Sequence, residues 1–130
     1  MYPKGEKMKT ENKFVEILNH RRKLLEKHSS LGTTIAQLTA AGCINATEYW
    51  KDDKYLYLLR PMNNGKRLKT YVGNHQLRIQ EARQKVINYK KRLSLIYKQE
   101  EIEKEIGKIE RVADDLYEIS IQSQNMPEFD

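Results

Sequence analysis

The hydrophobic pattern of this 130-residue chain changes its period twice, and this change restricts the fold more than any other feature. Apolar residues recur every three or four positions up to about residue 41. They alternate with polar residues between residues 48 and 72, and then return to helical spacing. The first period is typical of an amphipathic helix and the second of a half-buried strand. The sequence therefore predicts an α+β protein in which N-terminal helical structure and a long C-terminal helix flank a small antiparallel sheet.

The N-terminal part is predicted to contain two helices. Thr10 is placed to cap a first helix of about five turns, which is expected to end by Ser29-Ser30, with Gly32 as the stop signal. A short second helix is predicted for residues 33–41. Gly42 would end it as a left-handed C-cap, because a residue without Cβ tolerates positive φ.

The alternating segment predicts a three-stranded sheet, with strands at residues 48–51, 54–60 and 67–72. Asp52-Asp53 is predicted to be a tight turn, and the segment from Pro61 is expected to break the second strand. Asn64-Gly65 is a strong hairpin signal because both residues tolerate the positive φ of a two-residue turn. Trp50 and at least one of two tyrosines on the second strand, Tyr55 and Tyr57, are predicted to pack in the core.

Asn74 is predicted to cap a long helix that continues to about residue 121. One apolar seam ends at Ile96 and another begins at Ile102, a step of six instead of the seven that a regular coiled coil would give. This slip predicts a local kink in one helix, or a break near residues 98–101 after which the final helix folds back. A loose tail is expected from Ser120.

The apolar stripe of this long helix predicts a homodimer. About 45 residues of stripe exceed what a five-turn first helix can cover, so a second copy of the chain is expected to cover the rest. The predicted dimerisation residues are Ile102, Ile106, Ile109 and Leu116.

Charge is distributed very unevenly along the chain. Residues 51–98 carry 13 basic and three acidic residues, whereas residues 100–130 carry three basic and ten acidic residues. Three regions are predicted on this basis: an N-terminal helical segment (1–43), a basic sheet-plus-helix module (44–98), and an acidic helical dimerisation stem with its tail (99–130). A local excess of +10 exceeds what solubility requires and indicates a polyanionic partner.

The predicted binding surface combines one face of the third strand with the start of the long helix. Arg67, Lys69 and Tyr71 share that strand face by alternation, opposite Leu68, Thr70 and Val72. Strand side chains would reach base edges while helix residues touch phosphates. The predicted nucleic-acid-binding residues are Lys54, Arg60, Lys66, Arg67, Lys69, Tyr71, Arg78 and Lys85.

The tyrosine-rich run of residues 49–57, the Asn64-Gly65-Lys66 turn and the Thr70-to-Gly73 segment together resemble a known family. Residues 46–95 are similar to the AP2-like, or arm-type, three-stranded DNA-binding domain that precedes the catalytic domain of tyrosine recombinases. The resemblance implies a sheet that enters the major groove with a helix packed behind it. Residues 11–110 also resemble a set of small prokaryotic proteins that combine a helix, a tyrosine-rich hairpin and a coiled-coil helix, and that bring no known activity.

These patterns favour a non-enzymatic protein that binds double-stranded DNA, as a transcription regulator or an accessory factor of a mobile genetic element. An alternative hypothesis is a coiled-coil adaptor whose basic sheet binds an acidic protein, and a third interpretation is RNA binding through stacked tyrosines.

The histidines and Cys43 show no catalytic or metal-ligand spacing, so no catalytic residue, metal or other cofactor, and no small-molecule substrate, is predicted. With a single cysteine, no visible signal peptide and no long apolar run, the chain is expected in the cytoplasm away from membranes, at the nucleoid if it binds DNA.

Overall fold

A computed structural model describes the backbone of residues 4–124 and the side chains of residues 12–122. The elements follow the order helix, three strands, helix: α1 (Lys4–Ala41), β1 (Thr47–Lys51), β2 (Tyr55–Asn63), β3 (Lys66–Gly73) and α2 (Gln76–Gln124). This order confirms the predicted α+β class, with an N-terminal helix, an antiparallel sheet and a long C-terminal helix. The chain divides into a helical unit, formed by Met1–Ser30 and Lys98–Asp130, and a sheet unit, formed by Leu31–Tyr97.

Helix α1 is a single helix, so the predicted stop at Ser29-Ser30 and Gly32 and the separate short helix were wrong. The helix also begins before Thr10, at Lys4, so the predicted start was wrong. Within the described side chains of α1, inward-facing positions recur at alternating steps of four and three, at Ile17, Arg21, Leu24, His28, Leu31, Ile35 and Leu38. A glycine inside a helix costs only about 1 kcal/mol relative to alanine, and a continuous packed stripe outweighs that cost.

The predicted end of the helical segment at Gly42 is confirmed. Gly42 has a φ of +103°, and its N–H donates to the carbonyls of Leu38 and Thr39 at 3.1 and 3.2 Å. The Gly42 carbonyl accepts a hydrogen bond from Nδ2 of Asn88 at 3.1 Å, and Oδ1 of the same buried Asn88 accepts one from Gln84 at 2.9 Å. The polar end of α1 is therefore hydrogen-bonded to α2 within the sheet unit.

Both predicted turns of the sheet are confirmed by their backbone angles. Asp52 and Asp53 each have a φ of 56°, and Asn64 and Gly65 have φ values of 53° and 75°. Two consecutive positive values are the signature of the two-residue turn that matches the twist of a hairpin. The strands consequently follow each other in the order β1-β2-β3, with antiparallel pairing throughout.

Strand β2 continues through Pro61 to Asn63, so the predicted break at Pro61 was wrong. Leu59 pairs with Lys69, but the next registered pair is Met62 with Arg67, which leaves one extra residue in β2. Pro61 therefore lies in a β-bulge, where proline is tolerated because the ladder does not require its missing N–H.

The core lies between one face of the sheet and α2. Leu56 and Leu58 of β2 are 0% and 2% exposed, and they pack with Ala82 and Val86 of α2. Ala46 belongs to the same buried cluster, and Ile44, Val72 and Ile79 border it.

Helix α2 is one continuous helix, as predicted, so the alternative of a break near residues 98–101 with a final helix that folds back was wrong. The inward-facing positions at this point are Leu95, Gln99 and Ile102, which keep the helical steps of four and three. Gln99 was missed because it is polar; its Nε2 donates to the carbonyl of His28 at 3.3 Å. The tail predicted from Ser120 is helical up to Gln124, and the rest of it lies outside the described residues.

Replacing Leu56 with alanine should lower the free energy of unfolding by about 2–5 kcal/mol, because it leaves a cavity in the only buried cluster of the described sheet unit. Leu68→Ala is the matched control: Leu68 is 74% exposed on the neighbouring strand, and its loss should change stability by less than about 0.5 kcal/mol. Urea denaturation followed by circular dichroism measures both. Equal effects would contradict the placement of the core.

Candidate nucleic-acid interface

A row of three tyrosines crosses the sheet on the face opposite the core. Tyr49 of β1 pairs with Tyr57 of β2, and Tyr57 pairs with Tyr71 of β3. The ring centroids are 6.2 Å apart in the first pair and 5.0 Å apart in the second, both with tilted or edge-on geometry. Directly opposed aromatic residues stabilise a sheet through such contacts. We call Tyr49, Tyr57 and Tyr71 the tyrosine row.

The Lys69 ammonium group lies above this row. Its Nζ atom is 4.5 Å from the centroid of the Tyr49 ring and 4.9 Å from that of the Tyr57 ring. A cation over an aromatic face is attracted by the negative potential of the ring, by about 0.5–1 kcal/mol at an exposed site. The Tyr49 and Tyr57 rings therefore restrict the position of the Lys69 ammonium group.

The tyrosine row is open to solvent. Tyr49 is 43% exposed and Tyr71 is 58% exposed. A shallow depression of about 260 Å³ lies beside the row, lined by Lys51, Asp52 and Tyr55 together with Tyr57 and Tyr71. Arg67, Lys69 and Tyr71 all remain exposed, so the described part of the chain leaves this face accessible to a large ligand.

Arg67 is anchored to the bulge in β2. Its Nε atom donates to the carbonyl of Arg60 at 2.9 Å, next to Pro61. The bulge interrupts the hydrogen-bond ladder between the strands at this point. The Arg67 guanidinium group donates to the carbonyl that the interrupted ladder leaves without a backbone donor. No described residue forms a hydrogen bond with the two Nη atoms of Arg67, so these donors can bind a ligand.

The far half of the β2–β3 hairpin forms a two-stranded ribbon. Residues 61–71 are exposed on both strands, including Met62 at 68%. The ribbon carries Lys66, Arg67 and Lys69, and Arg60 lies at its base. It is therefore a basic hairpin that is exposed to solvent along both strands.

The predicted binding residues fall into three groups. Lys66, Arg67, Lys69 and Tyr71 lie on β3, and Arg60 lies at the bulge. Lys54 follows the β1–β2 turn, which its N–H closes by donating to the Lys51 carbonyl at 3.1 Å. Arg78 and Lys85 lie on α2, whose residues Ala82 and Val86 pack on the opposite face of the sheet. The structure thus brings the β3 residues together, whereas Arg78 and Lys85 belong to the layer behind them.

One basic residue of this region, Arg83, has its charge compensated. Its Nε atom lies 2.7 Å from Oε1 of Glu48, whose Oε2 accepts a hydrogen bond from the Trp50 indole at 3.3 Å. The Arg83 guanidinium also lies over the Trp50 ring, 6.0 Å from its centroid. Trp50 is 37% exposed and packs against this ion pair, not inside the core as predicted. Tyr55 and Tyr57 are half-buried but lie outside the buried cluster, so the prediction that one of them packs in the core was also wrong. Nothing in the spacing of residues 48, 50 and 83 indicated this cluster.

The ion pair should make stability depend on pH. The hydrogen bond from Arg83 lowers the pKa of Glu48, with a smaller opposing effect of burial. A carboxyl whose pKa is lower in the folded state stabilises the fold above its unfolded pKa, and this contribution is lost as the pH falls through the folded pKa. Glu48→Gln should therefore destabilise the protein at pH 7 by up to about 1 kcal/mol, and the difference should disappear in acid. Thermal denaturation of both proteins between pH 7 and pH 3 measures it; a constant difference would contradict the assignment.

The predicted dimerisation residues lie next to α1 of the same chain. Ile102, Ile106 and Ile109 are half-buried, and Ile106 and Ile109 line depressions shared with Leu25 and Ile17 of α1. Leu116 is 46% exposed. The premise that the first helix has only five turns was wrong, because α1 spans 38 residues. A second copy is therefore not needed to cover these three isoleucines.

The described residues contain no group of His, Cys, Asp and Glu side chains that could hold a metal ion. His28 instead pairs with Glu103 at 2.8 Å, and the Cys43 thiol lies 3.3 Å from the Leu38 carbonyl. None of the helices described is both long enough and apolar enough to span a bilayer.

No protein-family model, curated protein or solved structure matches this chain. A function must therefore be inferred from the site itself.

Proposed function

We propose that this protein binds double-stranded DNA without catalysing a reaction, through the β2–β3 ribbon and the tyrosine row. The observation that carries the proposal is the Lys69 ammonium group, which is held over Tyr49 and Tyr57 on a solvent-open sheet face. This arrangement presents a positioned cation, flanked by aromatic rings, on the most basic part of the chain.

The charge of the sheet unit supports a polyanionic ligand. Residues 31–97 contain 12 basic and four acidic residues, an excess of +8, whereas the residues of the helical unit sum to −2. One acidic residue, Glu48, is already paired with Arg83. A positive field confined to one unit attracts a phosphate backbone and accelerates association.

The dimensions of the ribbon favour the major groove. The major groove of B-form DNA is about 12 Å wide and accepts a two-stranded β-ribbon. In this proposal the free Nη donors of Arg67 reach a base edge, where a guanidinium can bond guanine at two positions. Lys66, Lys69 and the Tyr71 hydroxyl bind phosphates and fix the register of the ribbon without reading sequence.

The remaining predicted residues have a supporting role. Arg78 and Lys85 belong to the helix layer behind the sheet, so they extend the positive field and contact only DNA that bends around the sheet unit. Lys54 directly precedes β2, and Arg60 lies at the bulge within it. This division agrees with what the AP2-like resemblance implies, a sheet in the groove and a helix behind it.

The proposal includes the homodimer predicted from sequence. Two copies present two ribbons, which suits a site with two-fold symmetry. A transcription regulator, or an accessory factor of a mobile genetic element, would use such an arrangement in the cytoplasm at the nucleoid.

Changing Arg67 and Lys69 together to alanine should weaken DNA binding by about tenfold to a hundredfold, because one base contact and one phosphate contact are lost. The negative slope of log affinity against log salt should become shallower by about one, since only Lys69 binds a phosphate. Fluorescence anisotropy with a labelled duplex at several salt concentrations measures both quantities. Lys104→Ala with Lys108→Ala is the matched control: it removes the same charge from the helical unit and should change affinity much less.

Three results would contradict the proposal. The first is affinity for duplexes that does not change with salt. The second is an equal loss in both double variants, which would mean that only net charge matters. The third is tight binding to single-stranded RNA, or to an acidic protein, without binding to duplex DNA; this result would support one of the other two hypotheses.

The tyrosine row can be tested separately at Tyr49, which lies on the edge strand. Tyr49→Leu removes one ring beneath the Lys69 ammonium and should weaken DNA binding a few-fold, since Lys69 is less well positioned. Tyr49→Phe keeps the ring and should bind almost as well as the original protein. A loss in the phenylalanine variant equal to that in the leucine variant would show that the hydroxyl matters and that the ring does not.

A further inference from the structure

The helical unit buries very little apolar surface. Among its described side chains only Leu24 is buried, at 9% exposure. Nine large apolar residues of this unit each expose more than a third of their own surface: Phe14, Val15, Leu18, Leu25, Val112, Leu116, Tyr117, Ile119 and Ile121. Helices in water are stabilised mainly by packing of their apolar faces, and a single buried leucine supplies little of it. The exposed apolar residues of this unit are therefore typical of a protein–protein interface.

The exposed apolar residues of α1 form a ridge beside a groove. Phe14, Leu18 and Leu25 lie on one face of the helix, four and seven residues apart. The groove between this ridge and α2 consists of two open depressions of about 360 and 320 Å³, and Glu110 lines both of them. We call this surface the ridge-and-groove face.

Gly107 forms an opening in the groove. A Cβ atom placed on Gly107 would have no other atom within 4 Å, so no contact inside the chain requires a glycine there. Glycine weakens a helix relative to alanine, and this cost is not offset by closer packing within the described chain. The space beside Leu25 and Ile106 can instead accept an apolar side chain from outside.

The charges of the two helices make the ridge-and-groove face self-complementary. Residues 12–30 of α1 carry five basic and two acidic residues, whereas residues 98–122 of α2 carry four basic and eight acidic residues. Arg22 lies beside the ridge, four residues after Leu18 and three before Leu25. On the α2 side of the groove, Glu103 and Glu110 are already paired with His28 and Arg21 of α1, whereas Asp114 has no ion pair among the described residues. A second copy would therefore bring the basic side of its ridge to Asp114, and the same contact would form in the opposite direction.

We infer that the occupant of this face is a second copy of the chain, in a two-fold arrangement in which the ridge of each α1 lies in the groove of the other copy. Such an interface uses the same surface twice, as two-fold dimers require. The homodimer of the proposed function would then form through a surface centred on Leu18 and Gly107, not through Ile102 and Ile109 as the sequence predicted. It does not depend on DNA binding.

Analytical ultracentrifugation of the full chain tests this inference. The original protein should move from 15.4 kDa to twice that mass as its concentration rises. Leu18→Glu should remain monomeric throughout, because it places a charge in the interface beside the acidic groove. Asn19→Glu is the matched control; it adds the same charge to the adjacent exposed position and should leave dimerisation unchanged. Circular dichroism should show equal helix content in the two variants.

Gly107→Ala provides a second, independent measurement. It should increase helix stability, because alanine is the better helix former, and yet weaken dimerisation at least tenfold by filling the opening. A monomeric original protein would overturn the inference, since the chain ends or a different protein would then cover the face. A dimer that survives both Leu18→Glu and Gly107→Ala would also overturn it and would place the contact elsewhere. Neither result concerns DNA affinity, which the Arg67 and Lys69 variants test separately.

Discussion

The alternation of side chains along β2 is the constraint on which the sheet unit depends. Leu56 and Leu58 point to α2 and form the centre of the core, which forces Tyr57 between them to the opposite face. Tyr57 pairs with Tyr49 on one side, and on the other side the bulge between Leu59 and Met62 sets the register that brings Tyr71 opposite it. A shift of one residue would move the leucines into water and the tyrosine into the core. The burial of the two leucines and the position of Tyr57 on the candidate binding face therefore have one cause.

Local signals in the sequence were sufficient for the turns and for the face of β3. Asn64-Gly65 and Gly42 adopt the positive φ values that their residue types favour, and alternation placed Lys69 and Tyr71 on one side. The partners of these residues were not predictable in the same way. The contact between Lys69 and Tyr49 depends on the register of two strand pairs, which no single segment of sequence contains.

The two errors in the helices have different physical origins. Gln99 faces inward and donates a hydrogen bond to the His28 carbonyl, so a pattern based on apolar residues alone shows a gap in α2 at that place. The predicted stop in α1 came from Ser29-Ser30 and Gly32, residue types that often end a helix but that lie inside this one. Similarly, Pro61 looked like the end of a strand because the bulge that accommodates it is visible only in the pairing with β3.

The two units also differ in which segments of the chain form them. The sheet unit is one continuous segment, whereas the helical unit is assembled from residues near the two ends of the chain. Joining Arg21 to Glu110 closes a loop of about 90 residues, and the entropy cost of closure rises with the length of the flexible part. If the sheet unit folds first, it removes most of that flexibility, because its hairpins connect neighbouring residues. From this connectivity we expect the local hairpins to form early and the pairing of the two helical segments to complete the structure.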